Sequence, residues 1–310
     1  MAEFIADDID FRAYMRDTEC KVKVRAASVF ADELDAEFEP RKGPRRSVMF
    51  STKLRSAIEF RPAEVTTWAG FNGHRKSMFL GQVALDLCAQ REPVLIVSLE
   101  MLPRKTLGRM ARQALAHDMP SLERRREFMR WTDGRLWLFD HVGRMSPTMC
   151  LAVCRYFAVE LKGRHVVIDS FMKVCESEES GDEQKRMVGD LCGVAEETGL
   201  HIHLVAHCRK PQGGGEDKPP TKYDIRGSAA ISDQAHNVIT VWMNKAKRAE
   251  SEKAEPDPAV MARDDAIVSI EKQRNGEVEG RFGFAFDDRS LRFCDSALAP
   301  VEPYHMEISL

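Results

Sequence analysis

A chain of 310 residues, 43% hydrophobic and 31% charged, has the makings of one large globular core with a short appended piece, and not of a fibrous or disordered protein. Its net charge of -3 excludes a uniformly basic nucleic-acid coat but leaves local basic loops open. Eight scattered cysteines without a C-x-x-C pair exclude zinc-knuckle spacing and suit a reducing cytoplasm. The opening segment Met1–Phe11 lacks the basic and apolar regions of a secretory signal, and no apolar run approaches the ~20 residues of a membrane span.

Residues 1–46 are set apart as an N-terminal arm. They mix acids with bases and end in the basic stretch Pro40 to Arg46. Val29, Phe30, Leu34 and Phe38 at helical spacing predict one amphipathic helix over Ala26–Phe38, too short to stand alone and therefore in need of a surface to dock on.

Residues 47–310 form the main domain. Short apolar strands are predicted at Val65–Ala69, Val94–Ser98, Leu136–Asp140, His165–Asp169, His201–Ala206 and Val238–Trp242. Helices are predicted at Lys76–Gln90, Pro103–His117, Pro147–Lys162 and Glu183–Thr198, with Ser146 as N-cap before a proline. This alternation predicts an α/β fold with a mostly parallel sheet covered on both faces. Beyond Ala266, Ile267–Glu271, an Asn275-Gly276 turn and Arg281–Asp287 predict an antiparallel hairpin added to the sheet. The stretches Cys208–Arg226 and Asn244–Asp265 read as long functional loops.

The first strand runs into Gly70-Phe71-Asn72-Gly73-His74-Arg75-Lys76-Ser77, a GxxxxGK[ST] phosphate loop in its strand–loop–helix setting, with Arg75 where glycine is usual. Backbone N–H groups and the positive end of a helix would face phosphate oxygens, Lys76 would reach the terminal phosphates, and Ser77 would take one position on Mg²⁺. Arg75 crowds the backbone, although its charge suits a polyphosphate. Glu100 and Asp169 each end a buried strand, where ligands bind in parallel sheets. Glu100 suits a base that polarises water and Asp169 a magnesium ligand, against the plainer readings of a helix cap and a common strand end. His207 ends the next strand at the same rim; His201 and His203 read as packing. Lys272 and Arg274 at the hairpin tip suit a basic pair acting on a neighbouring subunit's nucleotide, or else a solvated turn.

Taken together, the phosphate loop, Ser98-Leu99-Glu100-Met101, Ile168-Asp169-Ser170, Leu204-Val205-Ala206-His207, Asp224-Ile225-Arg226-Gly227-Ser228, the stretch Asp233–Asn237 and Lys272-Gln273-Arg274-Asn275-Gly276 resemble the motor domain of DnaB-type replicative DNA helicases, including phage primase–helicase motors. The resemblance covers roughly residues 50 to 295 and implies a RecA-like P-loop core binding ATP or another NTP with Mg²⁺. It implies that Gly70, Asn72, Gly73, His74, Arg75, Lys76 and Ser77 hold the nucleotide, that Ser77 and Asp169 hold the metal, and that Glu100 activates water. His207 would sense the γ-phosphate, and Arg274, aided by Lys272, would complete the neighbour's site in a hexameric ring. Lys173, Arg209, Lys210, Lys218, Lys222, Arg226, Gly227 and Ser228, with the stretch Lys245–Arg248, would line a channel for single-stranded DNA. The helix over Ala26–Phe38 corresponds to a linker that docks on the adjacent subunit. The first 46 residues read as too short for a primase module, a short form that suits a phage or mobile element and leaves a separate primase or loader open as a partner. The alternatives are a RecA-like DNA-dependent ATPase that loads or remodels without processive unwinding, and a weakly catalytic nucleotide-binding module.

Overall fold

β1 (Val65–Ala69), β2 (Val94–Ser98), β4 (His165–Asp169) and β5 (His201–Val205) are buried at every residue, as strands covered on both faces must be. The computed structural model describes residues 47–175, 180–210, 216–227 and 229–306, with the isolated positions 27, 31 and 35. Apart from those three positions, the expected helix over Ala26–Phe38 lies outside the described residues, as does the candidate residue Ser228.

With β3 (Leu136–Leu138), β6 (Asn237–Met243), β7 (Ala266–Gln273), β8 (Gly280–Asp287) and β9 (Arg292–Cys294), these strands make one sheet in the order β3-β2-β4-β5-β1-β6-β7-β8-β9. The strands from β3 to β6 pair in parallel, and those from β7 onward are antiparallel. The chain leaves β1 for β2, beyond β5 and β4, so the carboxyl end of β1 borders the crevice where such sheets take ligands.

One face of the sheet packs Trp68, Phe79, Met110, Phe128 and Phe293 with helices α1 (Lys76–Ala89), α2 (Pro103–Leu115) and α3 (Leu122–Thr132). The other packs Val153, Phe157, Met187 and Leu191 with α4 (Pro147–Val159) and α5 (Gly181–Thr198). The caps expected from sequence form: the Ser146 hydroxyl accepts from the Met149 N–H, and Pro147 follows it. Cys150 and Cys154 are buried packing residues of α4.

Three expectations change. The stretch Asn244–Asp265 is not an open loop, because Asn244 caps a helix α6 (Lys245–Ser251) and Asp257 caps the turn Pro258–Met261. α3 was hidden by its charge: in LERRREFMRWT, Phe128 and Trp131 are the only large side chains it buries. The hairpin turn is also longer than two residues. β7 and β8 are joined by residues 274–279, and the Asn275 amide donates to Glu64 Oε1 at 2.7 Å instead of closing a tight turn.

Candidate nucleotide site

The phosphate loop is shaped by its neighbours. A Cβ on Gly70 would stand 2.4 Å from the Val241 carbonyl oxygen, so β6 demands that glycine. Gly73 has φ +77 and open space around it, as a loop approached closely by a ligand requires.

Arg75 heads α1 at φ 59 and ψ 25, a left-handed conformation that costs a residue with a Cβ roughly 1–2 kcal/mol. Its guanidinium lies 3.8 Å above the centre of the Phe286 ring and 3.2 Å from Asp288 Oδ1. The arginine therefore has partners at the end of β8, and these contacts offset the backbone strain.

His74 is fully buried. Its Nδ1 accepts from the Met243 N–H at 3.0 Å, which leaves the proton on Nε2 to donate to Glu216 Oε2 at 2.8 Å. Burial holds its pKa below the ordinary histidine value, so the ring is neutral. Lys76, 5% exposed, donates to the Gly70 and Phe71 carbonyls at 2.8 and 2.9 Å, and burial lowers its pKa.

The acids gather at the same rim. Ser98 of β2 pairs with Asp169 of β4, and the Leu99 N–H donates to the Asp169 carbonyl at 2.7 Å, which sets Glu100 beside the end of β4. Asp169 is 6% exposed. Burial raises its pKa, while a hydrogen bond from the Ser77 hydroxyl and the charge of Lys76 work the other way. Glu100 Oε1 accepts from the Ser170 hydroxyl at 2.7 Å and lies 3.6 Å from His207 Nε2. Its pKa falls to about 2, first through His207 and then, against some desolvation, through Ser170. Glu100 is no helix cap, since α2 starts from Leu102 without a side-chain bond.

His207 leads into the segment after β5. The Cys208 N–H donates to the Gly70 carbonyl, the Arg226 N–H to the His207 carbonyl, and the Arg209 N–H to the Asp224 carbonyl. A bridge between Cys208 and Ile225 closes this loop against itself. Arg209 Nη2 donates to the Gly227 carbonyl at 3.0 Å and Lys222 Nζ to the Glu271 carbonyl at 3.3 Å. Lys210 and Lys218 are exposed. Gly227 has φ +108, and a Cβ there would meet Gln184 Oε1 at 2.4 Å. Lys173, in the turn Phe171–Lys173, is close enough for its charge to favour the ionised Glu100.

Arg274 and Lys272 stand apart from these residues. β7 runs opposite to β6, with Ala266 paired to Met243 near the phosphate loop and Gln273 paired to Asn237 at the far end. Seven residues of β6 at ~3.3 Å each put roughly 20 Å of sheet between Arg274 and that loop. Lys272 Nζ is held by the carbonyls of Ser232, Asp233 and Ala235 in its own chain, and Arg274 Nη2 donates to the Gln234 carbonyl at 3.3 Å.

Beside Gly73 and Arg75 opens a cleft of about 430 Å³ lined by Met243, Lys247, Arg248 and Phe286. Among the described residues, no three histidine, cysteine or acidic side chains gather to hold a metal by themselves. The site offers one buried carboxylate and one hydroxyl, a set that suits Mg²⁺ completed by phosphate oxygens and water. Sequence reasoning missed Ser170 as a partner of Glu100, although it follows Asp169 directly. It missed Glu216 because nothing local marks that residue.

Fold and phosphate loop together define a P-loop α/β core with the architecture of DnaB-type helicase ATPase domains. The chain belongs to the AAA domain family, which it matches over residues 53–213. It is similar to a solved DnaB-like replicative helicase, with a TM-score of 0.70 and 18% identity over 88% of this chain and 67% of that one. The ATPase domain of G40P gives a TM-score of 0.66 and 16% identity over 86% of this chain and 96% of that domain. A DNA helicase/primase of Enterobacteria phage T3 is 26% identical over 119 residues, covering 36% of this chain and 21% of that protein. The chain thus spans about a fifth of that curated relative. Among the described residues no helix is long and apolar enough to cross a membrane.

Proposed function

We propose that this chain is the motor of a cytoplasmic replicative DNA helicase that hydrolyses ATP or another NTP between the subunits of a ring, most simply a hexamer, closed around single-stranded DNA. The observation that carries this reading is the separation within one chain: phosphate loop, Glu100 and Asp169 at one end of the strands, Arg274 at the other. A guanidinium so placed acts on a nucleotide only when a second copy brings it there.

Gly70 to Ser77 cradle the triphosphate, and the cleft by Arg75 and Phe286 receives the rest of the nucleotide. Lys76 exchanges its two loop carbonyls for phosphate oxygens. Ser77 and Asp169 would hold Mg²⁺, which neutralises charge on the phosphates. Glu100, fully ionised at neutral pH, orients the attacking water. With its pKa at about 2 it is a weak proton acceptor until His207 releases it, so His207 ties water activation to the loop carrying Arg209 and Arg226. Lys173, Arg209, Lys210, Lys218, Lys222, Arg226, Gly227 and Ser228 grip the phosphodiester backbone without sequence preference. Residues 1–46 serve as an arm that docks on the adjacent subunit, and a separate primase or loader joins the ring.

The test is complementation. Arg274→Ala and Glu100→Ala are each expected to abolish hydrolysis while retaining nucleotide binding, and mixing them is expected to restore turnover at interfaces that combine two intact halves. Mixtures as dead as their components, with monomers on sizing, would overturn the shared site.

A further inference from the structure

The loop between β5 and β6 returns to the phosphate loop at a single carboxylate. Glu216 Oε2 accepts from His74 Nε2 at 2.8 Å and from Lys245 Nζ at 2.6 Å, while the Glu216 carbonyl accepts from Trp242 Nε1 at 2.7 Å. Downstream, Thr240 Oγ1 donates to the Pro220 carbonyl at 3.0 Å, so this stretch lies along β6.

His74 has no freedom of its own. Its Nδ1 is committed to the Met243 N–H, and the ring is shut away from water. The position of Glu216 is therefore felt directly by the residue that precedes Arg75 and Lys76. Lys245 heads α6, which borders the cleft beside Arg75. One carboxylate thus joins three parts of the molecule: the phosphate loop, the loop bearing Lys218 and Lys222, and the helix beside the cleft.

We propose that Glu216 is a positioning residue through which occupation of the β5–β6 loop by single-stranded DNA sets the phosphate loop for hydrolysis. The proposal rests on the reading of this chain as a DNA-dependent NTPase. It adds the contact by which the two sites communicate. When DNA draws Lys218 and Lys222 toward its phosphates, the backbone between Glu216 and Pro220 follows, and the bond to His74 shortens, lengthens or breaks. By linkage, whatever factor bound DNA imposes on nucleotide affinity, nucleotide on the phosphate loop imposes on DNA affinity.

The experiment compares full-length wild type, Glu216→Ala, Glu216→Gln and Trp242→Phe, each assayed for ATP turnover with and without an oligothymidylate. Fluorescence anisotropy of the labelled oligonucleotide is measured with and without a non-hydrolysable ATP analogue. Glu216→Gln keeps an acceptor for His74, and Trp242→Phe loosens the same backbone without touching the carboxylate. Glu216→Ala is expected to lower the ratio of stimulated to basal turnover by about fivefold or more, and separately to weaken the effect of the analogue on DNA affinity. Glu216→Gln and Trp242→Phe are expected to keep most of both ratios. Unchanged ratios in Glu216→Ala overturn the proposal, as does an equal loss in Trp242→Phe, which would mark a general packing role. If Glu216→Ala fails to fold, Glu216→Asp replaces it, since the shorter side chain withdraws the carboxylate from His74; unchanged ratios there are equally decisive. Wild type without any DNA stimulation would refute the underlying NTPase reading instead, so the two failures are told apart.

Discussion

Arg75 shows how a motif departure is accommodated residue by residue. Glycine at that position would relieve the left-handed strain of roughly 1–2 kcal/mol but add backbone freedom to the unfolded chain. It would also remove the stacking on Phe286, worth about 0.5–1 kcal/mol at a partly exposed site. These terms nearly cancel, so Arg75→Gly is expected to change stability by less than about 1 kcal/mol and to keep nucleotide binding. Arg75→Ala retains the strain and loses both partners, and is expected to be the worse of the two by about 1 kcal/mol in urea unfolding. A second residue-scale prediction concerns Glu100. Its pKa of about 2 depends first on His207, so His207→Ala is expected to move the Glu100 carboxyl titration, followed by NMR, upward toward the ordinary value. No movement would mean that His207 does not engage Glu100 in solution.

At the scale of elements, the underside of the sheet carries a chain of neutral histidines. Trp68 Nε1 donates to His203 Nδ1 at 3.2 Å, so His203 Nε2 carries the proton facing His165 Nδ1 at 3.3 Å, and His165 Nε2 faces the Ser47 hydroxyl at 3.2 Å. His201 gives its Nδ1 proton to the Arg61 carbonyl at 2.6 Å and faces the Thr66 hydroxyl at 2.8 Å with Nε2. Desolvation lowers all three pKa values, that of His201 to about 4. The unfolded chain takes up these protons near pH 6.5 and the folded one does not, so stability falls as the pH drops below that value. For His201 the fall continues to about pH 4, at about 1.4 kcal/mol per pH unit. Urea unfolding between pH 7 and pH 4 is expected to show stability falling with pH, and His201→Gln to reduce the slope by about 1.4 kcal/mol per pH unit. An unchanged slope would assign the acid sensitivity to other groups.

For the molecule as a whole, the described core begins at Val48 and Met49, both buried, and the family match starts at residue 53. The proposed arm, residues 1–46, precedes both. Its deletion is expected to leave the thermal transition of the remaining domain within a few degrees. It is also expected to shift the sedimenting species formed with ATP analogue and DNA from a ring toward smaller forms. A truncated chain that still assembles fully would remove the arm from the interface.

The alternation of short apolar strands with amphipathic helices was legible in the sequence because burial on one or two faces imposes a local period. The phosphate loop, Glu100, Asp169 and His207 were legible because a carboxylate or histidine just past an apolar strand can only face the rim of a parallel sheet. The charged α3, the helix α6 and the true length of the β7–β8 connection were not, since packing and caps override composition there. Only the tertiary structure decided the rest. Arg75 meets Asp288 across 213 positions of chain and His74 meets Glu216 across 142, and Arg274 lies at the strand ends away from the phosphate loop because β7 runs antiparallel to β6. Strand direction and long-range packing are properties of the assembled sheet, and no local pattern encodes them.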